Sequence, residues 1–319
     1  MGSSPLSISP ALSIDDLNAP VTESSLDGKN VLITGGASGV GADLATTFAE
    51  RGAHVTVVDI QEERGRAFAL QLEQRGLRVQ FAKADVNSWE EQVEAFKAAV
   101  KFHPDRRLDL VIASAGVFGE PFFRPDQPFS SSLSESPEPP VMKEYAVNAV
   151  GIHFTARLAL EYFELESSSP AAEPKCLILI SSMVAYTDIP MVSAYTASKY
   201  AARGLFRSAR SIFSQRGHRI NLLAPWLLAT PMTTEWMDMF KECGMPIGEV
   251  SLARQAVMRL AQDSSVNGRS IVIGPRRNID LCDDVEGNFG GIVAKRYLEE
   301  ELPGWEQTER KLLKYMGVS

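Results

Sequence analysis

The chain is predicted to fold as a doubly wound α/β protein, a parallel sheet with helices on both faces. Three observations predict it. Short apolar runs alternate with amphipathic stretches of helical length from residue 30 to residue 274. The runs are apolar throughout rather than alternating, as in strands covered on both faces. The first, Asn30-Val31-Leu32-Ile33, ends in Thr34-Gly35-Gly36-Ala37-Ser38-Gly39-Val40-Gly41 and opens directly into a helical pattern.

The elements follow in order. After the helix ending near Arg51, Val55–Asp59 reads as a second strand, 61–75 as a helix, 78–84 as a strand and 88–102 as a helix. Leu108–Ala113 is a fourth strand. Residues 119–141 carry five prolines after Glu120-Pro121 and a serine-rich centre, and read as a loop insertion. A helix over 142–164 and a polar loop from Ser167 to Lys175 precede strand Cys176–Ile180. A long helix over 193–214, strand Arg219–Leu223, a helix over 249–262 and strand Ser270–Gly274 complete seven strands. The expected organisation is an arm over 1–28, one domain over 29–274 and an extension over 275–319 with helices near 290–302 and 304–315. The arm is expected to be mostly extended, docked through Leu6, Ile8, Leu12 and Ile14 on the body or on a neighbouring subunit.

Composition excludes several classes. With 319 residues, 45% hydrophobic and 23% charged, the chain is long enough for a full core and too apolar for disorder. Its net charge of −8 argues against non-specific binding to nucleic acid or anionic membrane. Cys176, Cys243 and Cys282 form no CxxC pair, so neither a disulfide framework nor a structural metal site is expected. No 18-residue apolar run and no leader pattern stand in the sequence, and a cytoplasmic protein is expected. His153 and His218 read as structural, and Arg106-Arg107 and Arg276-Arg277 as solvated ends of elements.

Glycines between a strand and a helix let the backbone approach a pyrophosphate, whose charge meets free N–H groups and the helix dipole. Asp59 closes the second strand eighteen residues after Gly41. A carboxylate there accepts both ribose hydroxyls and repels a 2′-phosphate, so NAD is the expected cofactor. Asp85-Val86 after the third strand offers an acceptor for an adenine amino group; the alternative is a helix N-cap ahead of 88–102, for which Asn87 or Ser88 would serve equally. Ser114-Ala115-Gly116 after the fourth strand is small enough for a ligand to lie against the sheet edge.

Tyr195-Thr196-Ala197-Ser198-Lys199 places Tyr and Lys at i and i+4 on one helix face. An ammonium beside a phenol favours phenolate; bringing a Tyr from about 10 to near 7 needs ~4 kcal/mol. Ser182 ends a strand thirteen residues before Tyr195. Together with Asn148 in Val147-Asn148-Ala149-Val150-Gly151, Ile180-Ser181-Ser182 and Pro225 through Thr230, these pieces resemble the classical, NAD-dependent short-chain dehydrogenase/reductase family over about residues 28–275. The resemblance implies a Rossmann-type sheet of order 3-2-1-4-5-6-7. It implies Ser182, Tyr195 and Lys199 as the catalytic triad, with Asn148 holding a water that links Lys199 to solvent. Gly35, Ser38, Gly39, Val40, Gly41, Asp59, Asp85, Val86, Ser114, Ala115, Gly116, Pro225 and Thr230, with Tyr195 and Lys199, are then the cofactor-binding residues; Thr230 would bond the nicotinamide carboxamide. Two positions depart from the pattern: Ser114 stands where the family has Asn, and Trp226 where it has Gly.

Residues 226–248 match the family's lid. Trp226, Met232 and Trp236, with Met183 and Tyr186 after Ser182, are expected to line a large apolar pocket for a bulky lipophilic alcohol or ketone, such as a specialised metabolite. Two alternatives share these residues: a redox-neutral enzyme that uses the nucleotide as scaffold, and a non-catalytic nucleotide-sensing protein. A homodimer or homotetramer is expected through the helices 142–164 and 193–214, with Ala202, Leu205, Phe206, Ala209, Ile212 and Phe213 as the outer stripe of the second.

Overall fold

The computed structural model describes residues 8–20, 26–119, 136, 138–165, 174–187, 189, 192–284, 287–302, 304, 307–308 and 311. The chain opens with the short helix α1 (Ile14–Asn18), then alternates β1 (Asn30–Thr34), α2 (Gly39–Glu50), β2 (His54–Asp59), α3 (Glu62–Gln74), β3 (Val79–Lys83), α4 (Trp89–Phe102) and β4 (Leu110–Ala113). Beyond the predicted insertion, which lies almost wholly outside the described residues, come α5 (Lys143–Tyr145), α6 (Ile152–Phe163), β5 (Cys176–Ile180), α7 (Ser193–Gln215) and β6 (Arg219–Pro225). The chain continues with α8 (Met237–Glu242), α9 (Val250–Gln262), β7 (Ser270–Ile273), β8 (Asn278–Asp280) and α10 (Gly291–Glu301). The predicted helix near 304–315 falls largely outside the described residues.

The strands form one sheet in the order β3-β2-β1-β4-β5-β6-β7-β8. Every pair is parallel except β7–β8. The strands bury two faces, as their unbroken apolar runs require. Leu32, Val111, Leu177 and Leu179 face α4, α6 and α7 through Phe96, Ala156 and Phe206. Val31, Ile33, Ile112 and Ile178 face α2, α3 and α9 through Phe48, Leu72 and Val257. Each fully buried side chain of this size contributes about 1.5–3 kcal/mol.

Two expectations are corrected. Among the described residues the sheet has eight strands, not seven. Only Gly274 to Arg277 separate β7 from β8, too few residues for a crossover, so the chain returns antiparallel. The body therefore continues past Gly274, and Ala294, Tyr297 and Leu302 are buried in its core. Among the described residues the arm is helical only at α1, which Ser13 caps by accepting from Asp16 N at 3.0 Å, and residues 8–20 dock on the same chain. Asn18 exchanges two hydrogen bonds with the Asn278 backbone, and Leu12 N donates to Asp280. Arg269, buried, closes this corner by donating to both Asp280 oxygens, to Asp284 and to Ser9 O. The helix predicted over 142–164 is broken by a π-helical stretch, Ala146–Gly151, centred near Asn148. Such bulges often sit at functional sites.

Candidate active site

The strand order reverses between β1 and β4, and the loops beyond their carboxyl ends leave the crevice that doubly wound sheets use for ligands. A cleft of about 560 Å³ opens there, within the ~300–1,000 Å³ range of ligand pockets. The structure brings Gly35, Ser38, Gly39, Val40, Gly41, Asp59, Asp85, Val86, Ser114, Ala115, Gly116, Tyr195, Lys199, Pro225 and Thr230 together on its walls.

The glycine loop is tight for a reason. Gly35 has φ +65°, and a Cβ there would stand 2.7 Å from Ala115 Cα. A Cβ on Gly41 would stand 2.2 Å from Gly35 O. Ser38 precedes α2 without capping it by its side chain, so the helix N-terminus is open to an anion from the cleft. Asp59 is buried; its oxygens accept from Ala37 N at 3.1 Å and Gln61 N at 3.0 Å, tying the loop to the end of β2. Ser88, not Asp85, caps α4, which leaves the Asp85 carboxylate on the cleft wall, braced by Asn87. Loop, open helix end and buried carboxylate fit a dinucleotide.

At the far end of the cleft stand Ser182, Tyr195 and Lys199. Ser182 caps the 3₁₀ turn Met183–Ala185, accepting from Val184 N at 3.3 Å. Tyr195 and Lys199 lie one turn apart on α7, with the Lys199 ammonium 5.5 Å from the Tyr195 ring centre. The sequence suggests that Lys199 pulls Tyr195 down in pKa. Burial instead pushes the phenol above 10, a hydrogen bond from Ser182 offsets part of that, and Lys199 donates to Ile180 O at 3.2 Å. Asn148 exchanges two 2.8 Å hydrogen bonds with the Val117 backbone, and its Nδ2 donates to Ser198 Oγ. Asn148 Oδ1 and Lys199 Nζ both lie close to Gly116, where a Cβ would stand 3.3 and 3.5 Å from them.

Burial, with no anionic partner among the described residues, lowers Lys199 from 10.5 to about 8. Because the folded-state value is the lower one, the cost is complete below pH 8 and disappears as pH rises toward 10.5. It is about 3 kcal/mol, against about 1 kcal/mol for the hydrogen bond to Ile180 O. Lys199→Met is therefore expected to raise stability at pH 7 by about 2 kcal/mol, with the gain fading by pH 10. Urea melts at the two pH values check this; a less stable variant at pH 7 refutes it.

A second, apolar cavity of about 140 Å³ meets the cleft at Ser182, Tyr195, Pro225, Trp226, Met232 and Thr233. Among the described residues it has no charged side chain in its wall. Met183, Trp226, Met232 and Trp236 line it. Trp226, buried, donates to Pro246 O at 3.1 Å and pins the segment after β6. Tyr186 is the exception. Its hydroxyl donates to Asp283 at 2.7 Å and meets Ser270 Oγ at 2.6 Å, so its ring is turned away from this cavity. Sequence reasoning missed Phe118, whose ring stands edge-on to Tyr195 at 5.0 Å and to Trp236 at 6.0 Å. Its position two residues after Ser114-Ala115-Gly116 was the available signal. Met239, Phe240 and Met245 complete the wall.

The sequence model of the short chain dehydrogenase family matches residues 29–240, and the chain belongs to that family. The 5'-hydroxyaverantin dehydrogenase of Dothistroma septosporum is 39% identical over 290 residues, 87% of this chain and 94% of the relative. The 5'-hydroxyaverantin dehydrogenase stcG of Emericella nidulans is 36% identical over 86% of this chain and 93% of its own length. The NADP-dependent dehydrogenase clz5 of Cochliobolus lunatus is 32% identical over 76% of this chain and 87% of its own. The crystal structure of gox2181 superposes with a TM-score of 0.64 over 78% of this chain and 95% of that one, at 22% identity, a likeness of fold. The chain is thus an oxidoreductase of an alcohol or ketone that binds a nicotinamide nucleotide. No helix of the described residues is long and apolar enough to cross a membrane.

Proposed function

We propose that this protein interconverts a bulky, neutral, lipophilic secondary alcohol and its ketone with NAD. The observation that carries the reading is the meeting of the nucleotide cleft and the apolar cavity at Ser182 and Tyr195. Bound in the cleft, the nicotinamide supplies the hydride acceptor or donor. Ser182 holds the substrate oxygen. Tyr195 takes the alcohol proton in oxidation and returns it in reduction. Lys199 contributes positive charge near the phenol. The uncharged wall of Met183, Trp226, Trp236, Met239 and Phe240 favours an apolar body, and the names of two relatives denote a hydroxylated substrate. The unpaired cysteines accord with a reducing cytoplasm. The test is absorbance of the reduced nicotinamide with a panel of lipophilic alcohols and ketones. Turnover of charged alcohols alone, or none at all, rejects the reading.

The choice of NAD rests on Asp59, since two relatives are named NADP-dependent. A 2′-phosphate beside a buried carboxylate meets like charge in a low-dielectric wall. Asp59→Ala is expected to raise the kcat/KM ratio of NADP⁺ to NAD⁺ by about tenfold or more, equal to ~1.4 kcal/mol. A parent that already prefers NADP⁺ overturns it.

A homodimer or homotetramer is part of the proposal. Ala202, Phe206 and Phe213 of the expected stripe are buried in this chain's own core, which leaves Tyr145, Val150, Tyr200 and Ile212 as exposed apolar side chains in the 143–163 segment and on α7. Light scattering at micromolar concentration is expected to give a multiple of 34.9 kDa; a clean monomer mass rejects it.

A further inference from the structure

We propose that Asp283 is a positioning residue that, through Tyr186 and Arg203, holds the Ser182 turn against the Tyr195–Lys199 helix; the inference rests on the roles proposed for those three residues. Asp283 lies three residues past β8, in the segment that the family resemblance leaves unassigned, and its side chain is 0% exposed. Burial of a carboxylate is tolerated only when it is paired and hydrogen-bonded. Asp283 is both. Its Oδ2 accepts from Tyr186 Oη at 2.7 Å and from Arg203 Nε at 2.9 Å, and its Oδ1 accepts from Arg203 Nη2 at 3.1 Å. Arg207 Nε stands 3.8 Å from Oδ1, and the Asp283 backbone carbonyl accepts from Arg210 at 2.7 Å.

The two side chains that Asp283 grips belong to the two halves of the catalytic group. Tyr186 follows directly on the 3₁₀ turn that Ser182 caps: Ala185 N donates to Ser182 O, and Tyr186 N to Met183 O. Arg203 stands one turn beyond Lys199 and two beyond Tyr195 on α7. It donates to Ala185 O at 2.8 Å, and its guanidinium lies 3.8 Å from the Tyr186 ring centre. The second bond of the Tyr186 hydroxyl, to Ser270, anchors the assembly on β7. The distance between the Ser182 and Tyr195 hydroxyls is therefore set from behind, by a carboxylate that touches neither cavity. A misplacement of about 1 Å at such a site costs on the order of 10²-fold in rate.

The test uses the full chain with Tyr186→Phe, Asp283→Asn and Asp283→Glu. Tyr186→Phe removes the two hydrogen bonds of the hydroxyl, to Asp283 and Ser270, but leaves the carboxylate paired with Arg203, so it is the variant that keeps its fold. It is expected to lower kcat about tenfold with KM and the NADH dissociation constant unchanged. Asp283→Asn is expected to lower kcat about 100-fold, and Asp283→Glu to recover part of that loss. A second readout does not depend on turnover. The ¹³Cζ tyrosine NMR resonance of Tyr195, assigned with Tyr195→Phe, reports the surroundings of its hydroxyl, Ser182 among them, and is expected to shift in Tyr186→Phe. A folded Tyr186→Phe with parental kcat and an unmoved Tyr195 resonance overturns the proposal, as does a change confined to KM or NADH affinity. If the parent turns over no alcohol or ketone, the proposed function fails, and the resonance alone decides whether Asp283 positions the pair.

Discussion

Tyr195→Phe is expected to lower turnover by about 10²–10⁴-fold, the usual worth of a positioned general acid or base. The change removes only a hydroxyl. The phenyl ring keeps its edge-on contact with Phe118, so the cavity wall persists. NADH affinity is expected to stay within threefold, and the fold intact by circular dichroism. The pH dependence adds a sign. Burial raises the Tyr195 pKa, which keeps it a neutral phenol at pH 7. Ketone reduction needs that proton, so its rate is expected to hold at neutral pH and fall as the phenol ionises. Alcohol oxidation needs the phenolate, so its rate is expected to rise over the same interval. The residual activity of Tyr195→Phe is expected to show neither limb. A variant within tenfold of the parent rejects the role of Tyr195.

Gly41→Val is expected to abolish measurable NADH binding, a loss of at least 100-fold. Even a single Cβ would stand 2.2 Å from Gly35 O, 2.9 Å from Gly35 C and 3.0 Å from Gly36 Cα. All three are backbone atoms of the loop, so no side-chain rotation relieves the clash. The loop must move away from α2, and the N–H groups facing the cleft move with it. Overpacking of this kind also costs about 1–3 kcal/mol of stability. Gly204→Ala on α7 is the control: nothing lies within 4 Å of its added Cβ, and helix propensity predicts a gain of about 0.5–1 kcal/mol with NADH binding unchanged. Fluorescence titration with NADH and thermal melts read both variants. Parental affinity in Gly41→Val rejects the assignment of this loop to the nucleotide.

Much of this protein was legible because its signals are local. An apolar run of strand length makes a strand buried on both faces, and β1, β2 and β5 start or end within a residue or two of their predicted bounds. Tyr195 and Lys199 share a helix face because four residues make about one turn. Glycine, with no Cβ, is dictated wherever two backbones touch, as at Gly35 and Gly41. The gathering of the glycine loop, Asp59, Ser114 and the Tyr–Lys helix into one cleft followed from the parallel topology, which puts every strand's carboxyl end on the same side. Other features have no local signature. Three residues, Asn278–Asp280, are too few to show a strand's pattern, and β8 exists because β7 offers an edge to a chain that must turn back. The π-helical stretch at Asn148 accompanies two hydrogen bonds between its carboxamide and the Val117 backbone, 31 residues back in the chain. The direction of Tyr186 was decided by Asp283, 97 residues further on. Sequence by itself determined which elements form and which residue types the cleft presents, because spacing and period act within one turn or one strand. Only the tertiary structure decided which way Tyr186 turns, where the arm docks and what braces Ser182, because a hydrogen bond between distant residues exists only once the packing of everything between them has been settled.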